Sequence, residues 1–356
     1  MKILIIKLGA IGDVVHTLPA LAAIRDASPA NTEIAWVVER RSAEILRENP
    51  LIERLIEIDT RALRKTRIDR LIPELRSQLR SVRSAKFDVA IDFQGLLKSG
   101  AIAKLSGARE RWGFSRADLR EPASRAFLTD TVKIPPRTSV IRKNLLLAAA
   151  TIQSEFPAER RLRFPITTNE DHRREAASIA ARIGANFALI NPAGGWATKL
   201  WPAENFGSLA NLLWRDLALP AVVATGPGED GLAERVRSIT GENRVIFVQP
   251  SLKGFYELAK LATVYVGGDT GPTHLAVAAG APVVGLFGPT EWWRNGSPDP
   301  ADICVERTDI GCRTDCHRRS CSQWICMDID VARVLSAVKI RIERAKDPGR
   351  ASKPSV

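Results

Sequence analysis

Long apolar runs are missing from this 356-residue chain. None reaches the roughly 18 residues needed to span a bilayer, so an integral membrane protein is not expected. The first 13 residues, MKILIIKLGAIGD, read as a strand running into a glycine turn. They lack a signal peptide's long apolar region and small-residue cleavage site, so a secreted product is not expected either. Cysteine is absent outside residues 304–326, and an unsecreted chain keeps its thiols reduced, which argues against disulfides. Several catalytic signatures are also missing: the GxxxxGK[ST] order of a Walker A loop, a GxSxG elbow, an HExxH helix and a Ser-His-Asp order. Gly9-Ala10-Ile11-Gly12 lacks the third glycine of GxGxxG, which disfavours a nicotinamide-dependent dehydrogenase. The basic stretch 61–86 contains no aromatic residue, and single-stranded nucleic-acid sites interleave aromatics with their cations.

What is present is an ordinary globular composition, 45% hydrophobic and 26% charged. At roughly 100–200 residues per domain the length predicts two domains. The net charge of +12 is unevenly spread. Residues 1–165 carry 30 Lys and Arg against 19 Asp and Glu, whereas 166–330 carry 15 against 19. A basic first half points to an anionic partner: nucleic acid, an anionic membrane surface or a phosphorylated substrate. A solvated basic surface is the plain alternative.

Apolar strands and helical spacing alternate along the first half. Strands are expected at 2–7, 32–38, 52–58 and 87–93, with helical patterns at 14–25, 42–48 and 71–83. The alternation restarts after Pro165, with strands at 187–191, 221–225, 244–248, 264–266 and 282–287 and helices at 203–214 and 272–279. Strands separated by helices build parallel sheets from βαβ units. Two α/β domains are therefore expected, 1–165 and 166–330. A basic helix over 331–345 follows, for which packing back on the first domain is one expectation. The tail 346–356, rich in Pro, Ser and Lys, is expected to be disordered.

Ligands bind beyond the carboxyl ends of strands in such sheets, and the glycine-rich turns fall at those ends. In Gly267-Gly268-Asp269-Thr270-Gly271-Pro272-Thr273-His274 the strand ends and a helix begins near Pro272. Its free amides suit a diphosphate; a capped turn with nothing bound is the alternative. Gly194 and Gly195 leave amides open beside Lys199, a cation suited to a leaving diphosphate. Lys199 alone reads equally as a surface lysine. Glu229, after Gly226-Pro227-Gly228, can accept ribose hydroxyls or simply start a helix. Asp13 can cap the helix it opens, or act as a general base. His16 and His274, each a lone histidine in a helical stretch, read first as packing residues.

Taken together, these segments resemble a known family. Residues 11–21 (IGDVVHTLPAL), 36–39 (WVVE), 91–99 (IDFQGLLKS), 120–122 (REP), 199–202 (KLWP), 268–274 (GDTGPTH) and 287–290 (FGPT) occur in the order of the ADP-heptose:lipopolysaccharide heptosyltransferases, glycosyltransferase family 9. The likeness is strongest to the heptosyltransferase I type. The resemblance implies the GT-B fold, two Rossmann-like α/β domains facing each other across a cleft. It also implies a metal-independent, inverting transfer from ADP-L-glycero-β-D-manno-heptose to a Kdo sugar on lipid A. By it, Asp13 is the general base and Lys199 neutralises the leaving diphosphate. Gly194, Gly195, Thr270, Gly271, Thr273 and His274 belong to the donor site, where Asp269 meets sugar hydroxyls and Glu229 the ribose. The basic residues Arg61, Arg64, Lys65, Lys98, Arg120 and Arg142 match positions that take the anionic acceptor. The implied setting is cytoplasmic, peripheral at the inner face of the inner membrane, with no nucleic-acid partner.

The chain departs from that pattern in three places. Gly194-Gly195 stand where the heptosyltransferase I type has threonines. Trp292–Trp293 and the cysteines have no counterpart. Cys312, Cys316, Cys321 and Cys326 have spacings that zinc or an iron–sulfur cluster can use; plain thiols and disulfides are the alternatives, and any metal there would be structural. Another family 9 activity, with a heptosyltransferase II- or III-like acceptor or a different nucleotide-sugar donor, is the second functional reading. A non-enzymatic binder of anionic surfaces is the third.

Overall fold

The computed structural model describes residues 1–59, 80, 82–156, 162–241, 244–313 and 316–347. Arg61, Arg64, Lys65, most of the expected 71–83 helix and residues 348–356 of the expected disordered tail lie outside them, whereas Lys346, expected in that tail, ends a helix. The chain divides into two compact units, Met1–Thr167 and Thr168–Val356.

The first unit is a six-stranded sheet of β1 (Lys2–Ile6), β2 (Glu33–Glu39), β3 (Arg54–Ile58), β4 (Val89–Asp92), β5 (Glu110–Phe114) and β6 (Asp130–Val132), in the order β3-β2-β1-β4-β5-β6. Every pairing is parallel. Ile3, Leu4, Ile5 and Ile6 of β1 are fully buried, as both faces of a covered parallel strand must be. The order reverses between β1 and β4, where Ile6 stands opposite Asp92. That reversal is the switch point at which a doubly wound sheet opens a crevice.

The second unit repeats the design with β7 (Ala188–Asn191), β8 (Ala221–Ala224), β9 (Val245–Val248), β10 (Val264–Gly268), β11 (Val283–Phe287) and β12 (Ile303–Glu306). Its order, β12-β11-β10-β7-β8-β9, reverses between β7 and β10, with Asn191 opposite Gly267. Strand for strand this is the same Rossmann order as in the first unit. β5, β6 and β12 were not expected from sequence.

The expected helix over 14–25 is two helices, Ile11–Val15 and Leu18–Ala27. Pro19 lies in the first turn of the second, where its missing N–H costs nothing, and it cannot continue the first. The helical pattern at 42–48 is a 3-10 segment, Arg40–Leu46, tied to the first glycine turn by Ser42 Oγ donating to Gly9 O at 3.0 Å. The terminal helix is Val331–Lys346, and its apolar residues Val334, Leu335, Ala337 and Val338 sit in the second unit's own core. A buried ion pair, Arg341 Nε to Asp302 Oδ1 at 2.7 Å, pins it there. The apolar face of the helix is thus docked on the second unit's sheet.

Candidate active site

At the switch point of the first unit, Lys7 follows β1 and is buried. Its Nζ donates to Phe93 O at 2.8 Å. Burial pulls the ammonium below its ordinary range, opposed by the charges of Asp13 and Asp92 and reinforced by that of Arg120. One cation thus gathers the end of β1, the end of β4, the Asp13 turn and the 120 loop. Asp92 is fully buried, and burial pushes its carboxyl up to about 6. The amides of Gln94 and Gly95 donate to its Oδ1 at 2.8 and 3.1 Å, and Ser99 Oγ to its Oδ2 at 2.8 Å. These bonds, with Lys7, oppose the effect of burial. Gly95 has φ +68°, the left-handed turn that aims its amide at Asp92.

Asp13 is half-buried in the third turn position of its short helix, not at its N-cap, which is Ala10. Its Oδ2 accepts from Ala10 N at 3.3 Å. The capping expectation is therefore corrected in position: the carboxylate reaches back to the cap rather than forming it. Gly9 is required here, because a methyl at Gly9 would fall on the Asp13 carboxylate. Of the expected acceptor cations, Lys98 pairs with buried Glu39 at 3.1 Å, and Arg120 is exposed beside the Lys7 cluster. Arg142 donates to Phe156 O at 3.0 Å, on a helix whose Asn144 also bonds His16 O and Thr17 Oγ1.

At the switch point of the second unit, Asp269 is 5% exposed. Lys199 Nζ lies 2.6 Å from its Oδ2 and 3.2 Å from its backbone carbonyl. His274 Nε2 lies 3.2 Å from Oδ1, and Asn295 Nδ2 donates to Oδ2 at 3.3 Å. Burial disfavours the charged carboxylate, but His274 and Lys199 outweigh it and hold Asp269 well below the usual carboxylate range. Sequence reading gave Lys199 and Asp269 separate ligands; the fold binds them to each other. It also makes His274 a partner of Asp269 rather than a packing residue. Asn295 was missed, since it lies in the Trp292–Asn295 turn that matched no motif.

Thr270 is the N-cap of the helix Gly271–Ala279. Thr273 is buried, and its hydroxyl is engaged with Gly268 O and with Tyr265 Oη at 2.9 Å. It clamps the turn from inside. Gly195 is exposed with open space where a Cβ would stand, while Gly194 packs on Leu200. Glu229 Oε2 accepts from Gly226 N at 2.6 Å, closing the turn after β8. Lys199 Nζ stands 4.3 Å from the Trp196 ring centroid, and the Arg319 guanidinium 5.0 Å from the same ring.

The five cysteines are free thiols. Cys304 lies apart on β12, its Sγ donating to Glu306 Oε2 at 3.3 Å. The other four line one pocket with Thr198, Pro289 and Trp324. Among the described residues no three His, Cys, Asp or Glu side chains are placed so that they could hold a metal ion.

Two Rossmann-like units in tandem, each with charged side chains at its switch point, define the GT-B class of transferase fold. A family model described as glycosyltransferase family 9 (heptosyltransferase) matches residues 75–324, and the chain belongs to that family. The lipopolysaccharide heptosyltransferase 1 of Pseudomonas aeruginosa is 28% identical over 326 residues, covering 86% of this chain and 87% of that protein. The solved structure of E. coli heptosyltransferase WaaC with ADP superimposes with a TM-score of 0.72 at 26% identity, covering 86% of this chain and 93% of that one. A family 9 glycosyltransferase from Veillonella parvula shares the fold with a TM-score of 0.78 over 96% of this chain and 97% of its own.

Proposed function

We propose that this chain transfers L-glycero-D-manno-heptose from ADP-heptose to a Kdo sugar of the lipopolysaccharide inner core. The observation that carries the donor half is the Lys199–Asp269–His274 constellation at the second switch point. An ammonium has three N–H donors. Two of those of Lys199 go to Asp269, and the third suits a phosphate oxygen. Asp269, held ionised, accepts from sugar hydroxyls. The open amide at Gly195 and the helix start at Thr270–Gly271 suit the diphosphate, and the second oxygen of Glu229 suits the ribose.

The reaction is a single displacement. Asp13 takes the proton of the acceptor hydroxyl as that oxygen attacks the anomeric carbon. The bond from that carbon to the phosphate oxygen breaks, and its electron pair leaves with ADP. Lys199 meets the charge that grows on the diphosphate, which is where electrostatic stabilisation acts. No metal is required for these steps. The acceptor's carboxylates and phosphates match the basic first half, through Arg61, Arg64, Lys65, Lys98, Arg120 and Arg142. Anionic lipid at the inner face of the inner membrane would favour the same half by roughly 1 kcal/mol per nearby cation. No helix among the described residues is long and apolar enough to cross a membrane.

Calorimetric titration with ADP-heptose, against UDP-glucose and NAD, followed by a transfer assay on Kdo-lipid A, tests this reading. Selective donor binding with transfer is expected. Binding without transfer would overturn the acceptor. Absence of ADP-heptose binding would overturn the donor and turn attention to the Gly194–Gly195 departure.

A further inference from the structure

Among its described residues the segment from Cys312 to Cys326 buries little apolar surface, and its buried Arg313 pairs with Glu306 and Glu291. The regular structure among those residues is the start of one 3-10 turn, Ile325–Met327. Between residues 316 and 325 every residue is exposed or half-exposed. Two non-glycine residues in it, His317 and Trp324, hold left-handed φ values of 46° and 40°, an arrangement that surrounding structure must enforce. A surface loop with so little buried apolar area needs another fastening.

The loop nevertheless makes defined contacts with the donor-site turns. Trp324 Nε1 donates to Thr198 O at 3.0 Å, and Thr198 Oγ1 donates to Arg318 O at 2.7 Å. His317 N donates to Pro289 O at 2.9 Å. Thr198 adjoins Lys199, so the loop braces the backbone that carries that cation.

Four cysteines spread from one end of this segment to the other share one pocket. Trp324 N, three residues on, donates to Cys321 Sγ at 3.3 Å. A backbone amide directed at sulfur from the turn after a cysteine stabilises a thiolate in the manner of a metal-binding turn. Cys326 Sγ lies at the Gly288 backbone, where a side chain at residue 288 would crowd it. The fifth thiol, Cys304, is outside this pocket.

We propose that Cys312, Cys316, Cys321 and Cys326 bind one thiophilic divalent ion, zinc or iron(II), as a structural knot that fixes the loop against the 196–199 turn. Four sulfurs around one ion match the tetrahedral preference of such a site. The four cysteines line one pocket, but no three of them are placed so that they could hold an ion in this structure, so binding has to move the loop until the sulfurs lie about 2.3 Å from the ion. The thiols lose their protons to solvent as they bind, and no redox change is involved. The ion lies outside the transfer chemistry, so this inference stands whether the donor is ADP-heptose or another nucleotide sugar.

The test is elemental analysis of untagged, reduced full-length protein grown with zinc or with iron. About one ion per chain is expected, retained in Cys304→Ser and reduced at least tenfold in Cys316→Ser and Cys321→Ser. Circular dichroism establishes that each variant keeps its α/β fold. Should a variant fail to fold, metal-free wild type titrated with Co2+ gives the answer independently, because four thiolates produce intense sulfur-to-cobalt absorption saturating near one equivalent. Wild type with less than about a tenth of an ion per chain and no such absorption would overturn the proposal. So would disulfides among the four cysteines in the reduced preparation, or undiminished metal in both folded serine variants.

Discussion

At the scale of the residue, carboxylates that look alike in sequence are set apart by their surroundings. Asp92 is buried among amides with Lys7 as its cation, and its carboxyl is pushed up to about 6. Asp269 is nearly as deeply buried but faces Lys199 and His274, and stays ionised far below that. The raised group binds its proton more tightly in the folded state, so the stability it favours is present below the unfolded value near 4 and is lost as pH rises through about 6. Asp92→Asn keeps an oxygen for the Gln94 and Gly95 amides and removes the titration. Denaturation midpoints measured from pH 4 to 7 should therefore fall less steeply in the variant than in wild type, by roughly 1–3 kcal/mol over the range. Parallel curves would mean that Asp92 does not titrate there. Asp13→Ala should lower kcat by more than about tenfold with donor Kd unchanged. Near wild-type turnover would remove Asp13 as the base. Lys199→Ala should weaken both donor binding and turnover, since the same cation serves the ground state and the departing diphosphate.

At the scale of the element, turns and caps decide where those side chains point. Gly9→Ala leaves the backbone conformation accessible but places a methyl against the Asp13 carboxylate. It should lower kcat as Asp13→Ala does, with titration calorimetry showing donor affinity intact. The terminal helix depends on the pair Arg341–Asp302, whose members are 4% and 8% exposed. Asp302→Ala leaves the buried guanidinium with the longer Asp299 contact at 3.5 Å and strands the Val283 amide that Asp302 also serves. A loss of about 3–5 kcal/mol in urea unfolding is expected. The strongly apolar strands were legible in sequence because burial on both faces writes a continuous apolar run. Glu110–Phe114, Asp130–Val132 and Ile303–Glu306 were not. They are short, partly exposed and interrupted by charge, so tertiary pairing rather than pattern makes them strands. The break between Val15 and Leu18 was hidden because one apolar periodicity runs through both helices.

At the scale of the whole molecule, the two units repeat one strand order, and each places its charged residues at the reversal of that order. The proposed function gives them different ligands, a reading that the uneven charge supports. Replacing Arg61, Arg64 and Lys65 together with alanine should raise the acceptor KM severalfold, as loss of several phosphate- or carboxylate-directed cations does, and leave donor Kd alone. A changed donor Kd instead would contradict the division of labour between the units.

The sequence by itself determined the family, the two α/β units and the positions of most charged residues at strand ends, because strand burial and glycine turns are local properties written in residue order. Tertiary structure decided which of those residues meet. Lys199 and Asp269 are 70 residues apart and joined by an ion pair; Asn295 joins them from a turn without a motif. Lys7 meets Asp92 only because β1 and β4 are neighbours in the sheet. Thr273 turns its hydroxyl inward because Tyr265 and the Gly268 carbonyl lie beneath it. Such pairings depend on which strands lie side by side, and spacing along the chain does not encode that.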